Sequence, residues 1–130
     1  MKGIYVLLIK IGGNIEEKIG SLGNIKFGKG TYAYVGSAQN GLEKRIARHK
    51  SGNKKTFWHI DYLLGNKHAK ILKVLYKNVG KKEECKITKK LNKNETAIPG
   101  FGCSDCKCKA HFFRIKNQRI FCGMKNYEIN

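Results

Sequence analysis

Thr31 to His49 reads TYAYVGSAQNGLEKRIARH, and its two halves follow different periods. In the first half Thr31, Ala33 and Val35 point one way and Tyr32 and Tyr34 the other, the alternation of a strand. Gly36 and Ser37 are expected to end that strand, and Asn40-Gly41 breaks the chain. From Leu42 to Lys50 the pattern is helical. Leu42, Ile46 and His49 form an i, i+4, i+7 stripe, with Arg45 at its edge one turn before His49. A tyrosine-bearing strand thus feeds a helix that turns an arginine and a histidine toward a buried seam.

Upstream, Gly3 to Ile11 is apolar on both faces, which suits a central strand covered on both sides. Gly12 to Gly30 is a glycine-rich polar excursion whose short apolar fragments predict a hairpin arm or a small added strand. Downstream, Lys50 to Lys55 is a basic turn, and Thr56 to Leu64 (TFWHIDYLL) reads as a second helix with Thr56 as its N-cap. Lys70 to Lys77 alternates as a strand, Ile71, Lys73, Leu75 and Lys77 opposing Leu72, Val74 and Tyr76. Its lysines suggest an edge. Lys81 to Lys93 is a third helix, Pro99 opens an irregular segment, and His111 to Lys116 is a last strand. This order predicts a single α+β domain over residues 1–130. Its small, mostly antiparallel sheet has three core strands plus added strands, flanked by about three helices.

The third helix carries one anomaly. Glu84, Ile87, Thr88 and Leu91 share a face by the 3.6 period, so Glu84 falls on the apolar stripe while Glu83 is solvated. A carboxylate aimed at a core must be paired, as with an arginine or lysine at the rim, or bound to a metal.

The chain carries 27 Lys and Arg against 9 Asp and Glu, a net charge of +18 over 130 residues. That excess makes polyanions, nucleic acids first, the expected partners, the alternative being a basic solubility coat. Lys50, Lys54, Lys55 and Arg48, with His59, are candidate phosphate contacts. No segment reaches the roughly 18 apolar residues of a membrane span, and the apolar run after Met1-Lys2 reads as a strand rather than a signal peptide. Five cysteines, three crowded at Cys103, Cys106 and Cys108, do not form a secreted disulfide framework, so a cytoplasmic setting is expected. Those three with His111 have spacings that zinc tolerates. The other reading makes Ser104-Asp105 a turn, some thiols buried apolar groups, and His111 a polar group facing the site. In WHIDYLL, His59 and Asp61 do not face each other on a helix, and Trp58 reads as core rather than a base-stacking platform.

Phosphodiester hydrolysis needs a deprotonated nucleophile, charge neutralisation on the phosphate and a stabilised leaving oxygen. A tyrosine can act as base or proton relay if a cation lowers its pKa, and a guanidinium grips phosphate oxygens as a fork. One carboxylate with waters can hold Mg²⁺ beside a phosphate. Tyr5, Tyr34, Arg45, His49 and Glu84 supply that set.

Gly3-Ile4-Tyr5 and Tyr34-Val35-Gly36 resemble the two tripeptides that name the GIY-YIG nuclease superfamily, and Ser37-Ala38, Arg45 and His49 continue the likeness. More closely, the chain is similar to the DUF123 branch. That branch has a YVGSA-type strand, a GLxxRxxRH helix, a WHIDYLL segment and an FGxSDCxC turn followed by His-Phe. Here they stand at Tyr34–Ala38, Gly41–His49, Trp58–Leu64 and Phe101–Phe112. The resemblance covers nearly the whole chain. It implies that Tyr5 and Tyr34 flank the scissile phosphate, Arg45 grips it, His49 assists, and Glu84 holds Mg²⁺ or Mn²⁺. The interval between Tyr5 and Tyr34 is longer than the superfamily's usual one, so Gly12–Gly30 must loop out. A late site asparagine has no assigned place, Asn92 and Asn94 being candidates and Asp105 a substitute.

Two functions from different classes follow. One is a metal-dependent endonuclease acting on DNA or RNA, linked to DNA repair. The other is a non-catalytic nucleic-acid-binding module, a subunit or fusion partner of a repair enzyme. A zinc-stabilised interaction domain is a third reading.

Overall fold

The computed structural model describes residues 2–38, 41–51, 58–102, 110–116 and 118–127. The chain order is β1 (Gly3–Ile11), β2 (Ile15–Lys18), β3 (Asn24–Phe27), β4 (Gly30–Ala38), α1 (Leu42–Lys50), α2 (His59–Leu64), β5 (Ala69–Lys77), α3 (Lys82–Asn94), β6 (Thr96–Ala97), β7 (Phe112–Ile115) and β8 (Lys125–Asn126). Six strands form one antiparallel sheet in the order β6-β7-β4-β1-β5-β8, while β2 and β3 pair separately as the arm. This is the expected α+β architecture with a mostly antiparallel sheet and three helices. Among the described residues, no helix is long and apolar enough to cross a membrane.

β1 is central because it is apolar on both sides, and pairing along its whole length with β4 and β5 satisfies its backbone in the interior. The period of two sends its residues to two separate cores. Tyr5, Leu7, Ile9 and Ile11 join Tyr32, Tyr34, Leu42, Ile46, Ile60 and Leu63 under α1 and α2. Val6 and Leu8 join Ala33, Val35, Leu75, Leu91 and Phe113, with Ile87 packed alongside, under α3. The arm extends the first core through Ile19 and Phe27. An isolated two-stranded hairpin is marginal in water. Burial of each such side chain, about 1.5–3 kcal/mol, is what anchors the excursion while β1 and β4 pair undisturbed.

Three expectations need correction. Gly36 and Ser37 do not end the strand, since β4 pairs with β1 through them, from Gly30 opposite Ile11 to Ala38 opposite Gly3. The simple alternation of Lys70–Lys77 fails because the register slips: Leu8 faces Lys73 but Ile9 faces Ile71. Leu72 is the extra residue of a bulge, and at 54% exposure it is the one large apolar side chain turned to solvent among the described residues. Ile71 consequently shares a face with Val74 and Tyr76 rather than with Leu75. The second helix starts at His59, with Trp58 in the N-cap position. Asp61 there accepts the Trp58 backbone N–H at 2.8 Å. Thr56 lies outside the described residues.

Candidate active site

Tyr5, Tyr34 and His49 meet on the face covered by α1. Alternation places both tyrosines there, and the i+7 position of the α1 stripe brings His49 down onto them. Ring centroids are 6.5 Å apart for Tyr5 and Tyr34, 5.4 Å for Tyr5 and His49, and 6.0 Å for Tyr34 and His49. The Tyr5 hydroxyl lies 2.7 Å from His49 Nε2, both groups buried. The donor depends on the imidazole tautomer, and either arrangement shares one proton along the contact. Gly36 makes this possible. It sits opposite Tyr5 in the β1–β4 register, and a Cβ there would overlap the Tyr5 ring. Gly102, with φ +80°, is a second such position, since a Cβ would press on His111 Cβ at 3.0 Å and on the Tyr34 ring at 3.3 Å.

Arg45 donates to the Ser37 carbonyl at 3.0 Å and hydrogen-bonds toward the Tyr5 phenol. The expected lowering of a tyrosine pKa by this cation does not win. Burial pushes Tyr5 well above the usual phenol value, Arg45 opposing through charge and hydrogen bonding while the charges of Glu84 and Asp61 add to the rise. Tyr34 is raised too, first by burial and then by Tyr5, Glu84 and Asp61, with Arg45 again opposing. Both phenols therefore stay protonated at neutral pH, fitting a proton relay and not a standing base.

Glu84 comes from α3, on the other side of the sheet, yet its charge reaches both phenols. Its Oε1 lies 2.9 Å from Nδ1 of His111, a residue itself 1% exposed, and the Glu84 side chain keeps 12% exposure. The same Nδ1 is 3.2 Å from the Val35 carbonyl. With two acceptors on it, Nδ1 carries the proton and donates. The carboxylate's partner is thus a histidine, not the arginine or lysine anticipated at the rim. Among the described residues no group of three or more His, Cys, Asp and Glu is gathered for a metal ion. Of the two described carboxylates whose charge the phenols feel, Asp61 is taken up by Arg48 and the Trp58 N–H, and Glu84, completed by water and phosphate oxygens, suits Mg²⁺ or Mn²⁺.

The remaining candidates scatter. Lys50 is exposed at the end of α1. Arg48 donates from both terminal nitrogens to Asp61, each at 2.9 Å, so its fork is engaged by a carboxylate. His59 Nδ1 accepts the Gly102 backbone N–H at 2.8 Å, and burial lowers its pKa. Its ring is thereby a brace for the Phe101–Gly102 turn, and Phe101 packs against Tyr34 at 6.2 Å. Lys54, Lys55, Cys103, Cys106 and Cys108, and with them most of the zinc set, lie outside the described residues, as does Asp105. His111, the described member of that set, is the donor to Glu84. Asn92 and Asn94 are exposed on α3, and Asn94 donates to the Lys90 carbonyl at 3.0 Å.

Sequence reasoning missed the Arg48–Asp61 pair, having compared Asp61 only with His59. The available signal was the place of Asp61 three residues after Trp58, where a side chain caps a helix start.

A family model described as "Domain of unknown function DUF123" matches residues 4–127. The chain belongs to that family. The match takes in all of the site just described, from Tyr5 to His111. No curated protein and no solved structure matches this DUF123 chain.

Proposed function

We propose that this DUF123 domain is a metal-dependent phosphodiesterase, an endonuclease of GIY-YIG type acting on DNA or RNA. The observation that carries the reading is the meeting of two protonated phenols, an imidazole and a guanidinium, with the charges of Glu84 and Asp61 both felt by the phenols. The net charge of +18 supports a polyanionic substrate. In this reading Arg45 grips non-bridging phosphate oxygens and Tyr34 donates to one of them. The attacking water gives its proton to the Tyr5 oxygen as the Tyr5 proton passes to His49 Nε2, leaving an imidazolium. Glu84, held on one oxygen by His111, would hold the divalent ion with the other. When bound, that ion supplies positive charge against the developing negative charge of the leaving oxygen. Lys50 contributes sequence-independent attraction to the strand.

The alternative is the binding module without the reaction, favoured by one observation: both phenols are buried, Tyr34 at 8% exposure and Tyr5 at 1%. Incubation with structured DNA, single strands and RNA in Mg²⁺ or Mn²⁺, beside Arg45→Ala and Glu84→Gln, separates the two. The nuclease reading expects metal-dependent cutting by the wild type and intact but binding-competent protein for Glu84→Gln. Metal-independent binding with no cutting on any substrate supports the module.

A further inference from the structure

Trp58 is the chain's only tryptophan, and its surroundings do more than bury it. Arg45 and Arg48, one turn apart on α1, both lie over the indole, their guanidinium carbons 4.5 and 4.2 Å from the ring centroid. The Asp61 side chain that receives the Arg48 fork is fully buried, while Arg48 keeps 29% exposure. Breaking a buried pair on one side leaves an uncompensated charge, so this one locks the start of α2 to the last turn of α1. The same carboxylate accepts the Trp58 backbone N–H, which fixes where the indole stands. His49 closes the arrangement with its ring 5.7 Å from the indole.

Arg45 is thus steadied twice, by its face on the indole and by its donation to Ser37. Such restraint removes rotamer freedom before a ligand arrives, and a planar fork loses least when already aligned. We infer that Trp58 is a positioning residue for Arg45, held by the Asp61–Arg48 pair so that the guanidinium meets a phosphodiester pre-oriented. This rests on the reading of Arg45 as the phosphate-gripping group. The indole engages guanidinium groups, so it is not the platform on which a base stacks.

The test needs no cutting. A single-stranded oligonucleotide with phosphorothioate linkages, labelled at one end, is titrated into the protein in EDTA. Label anisotropy reports binding, and emission from the single tryptophan reports the environment of Trp58. In the wild type the emission changes and saturates with the anisotropy. In Arg45→Lys, which keeps the charge but not the plane, the emission response is lost. Trp58→Leu weakens binding about tenfold, the scale of a desolvated cation–π contact, and Trp58→Phe restores most of it. Binding by the wild type with silent emission, or Trp58→Leu binding as tightly as the wild type, overturns the inference and leaves the nucleic-acid reading standing. No binding by the wild type removes both. Should Trp58→Leu fail to fold, the emission response of the wild type decides alone.

Discussion

The two faces of the central sheet come from the same strands and hold different interiors. Under α3, β1 and β4 contribute Val6, Leu8, Ala33 and Val35, and these pack with Leu75, Leu91 and Phe113. Under α1 and α2 the alternate residues include Tyr5, Tyr32 and Tyr34 beside Leu7, Ile9 and Ile11, joined by His49 and, at the edge, Arg45 and Trp58. The first face gains its stability from area removed from water, which asks only for volume and shape. The second holds hydroxyl, imidazole and guanidinium groups whose desolvation is offset by contacts such as Tyr5–His49, Tyr32 to the Gly28 carbonyl and Arg45 to the Ser37 carbonyl. One sheet thus carries two unlike interiors, an aliphatic one and one with a cluster of polar aromatic groups, where the proposed chemistry would lie. Glu84 links the two: it grows from the helix of the first face, is held by His111 at 2.9 Å, and its charge is felt by Tyr5 and Tyr34 of the second.

That division can be broken experimentally. The largest effect is expected for Tyr5→Phe, which removes the hydroxyl from His49. Cutting should fall about 10²–10⁴-fold, the range for a lost proton-transfer group, with nucleic-acid binding kept. Leu8→Ala, one strand position from the same phenol's face, should cost about 2–5 kcal/mol in urea denaturation and leave kcat/KM unchanged where the variant is folded. Equal losses of cutting from both would erase the distinction between the faces. Gly36→Ala tests the seam itself. Its Cβ meets the Tyr5 ring, so a destabilisation of about 1–3 kcal/mol is expected together with slower cutting, and wild-type behaviour in both would mean that the ring is not confined there.

A smaller effect concerns pH. His59 accepts the Gly102 N–H through Nδ1 and has a lowered pKa from burial. The unfolded chain therefore takes up the proton before the folded one as pH falls. The stabilisation is complete above the ordinary histidine value and is lost as pH drops through the lower folded value. Melting temperature should fall between about pH 7.5 and about pH 5.5. In His59→Gln, which retains an acceptor without titrating, the fall should be shallower; an unchanged slope would exclude this brace as its source.

Much of this was legible in the residues. β1 and α1 have the expected bounds because a run apolar on both faces and a clean i, i+4, i+7 stripe each admit one solution. Two errors came from reading local signals that pairing overrode. Gly36 and Ser37 look like a strand end until Tyr5 needs room opposite, and the bulge at Leu72 leaves no mark in an alternation that reads well in either register. The site divides in the same way. Tyr5, Tyr34, Arg45 and His49 share one face through the periods of adjacent elements, whereas the sequence groups them by chemistry and by likeness to a family, with Glu84 among them. The Glu84–His111 and Arg48–Asp61 pairs join segments distant in the chain, and only the pathway of the backbone brings them together.

The proposed nuclease activity requires Glu84, from the helix beneath one face, to serve the phenols and guanidinium of the other. The most direct measurement is the single-turnover cleavage rate of an end-labelled nucleic acid in Mg²⁺ by wild type and by Glu84→Gln, with binding measured on the same preparations. The expected result is metal-dependent cutting by the wild type, and by Glu84→Gln equal binding with cutting lowered at least about a hundredfold. Equal cutting rates for the two proteins, or an uncut substrate with the wild type, would contradict it.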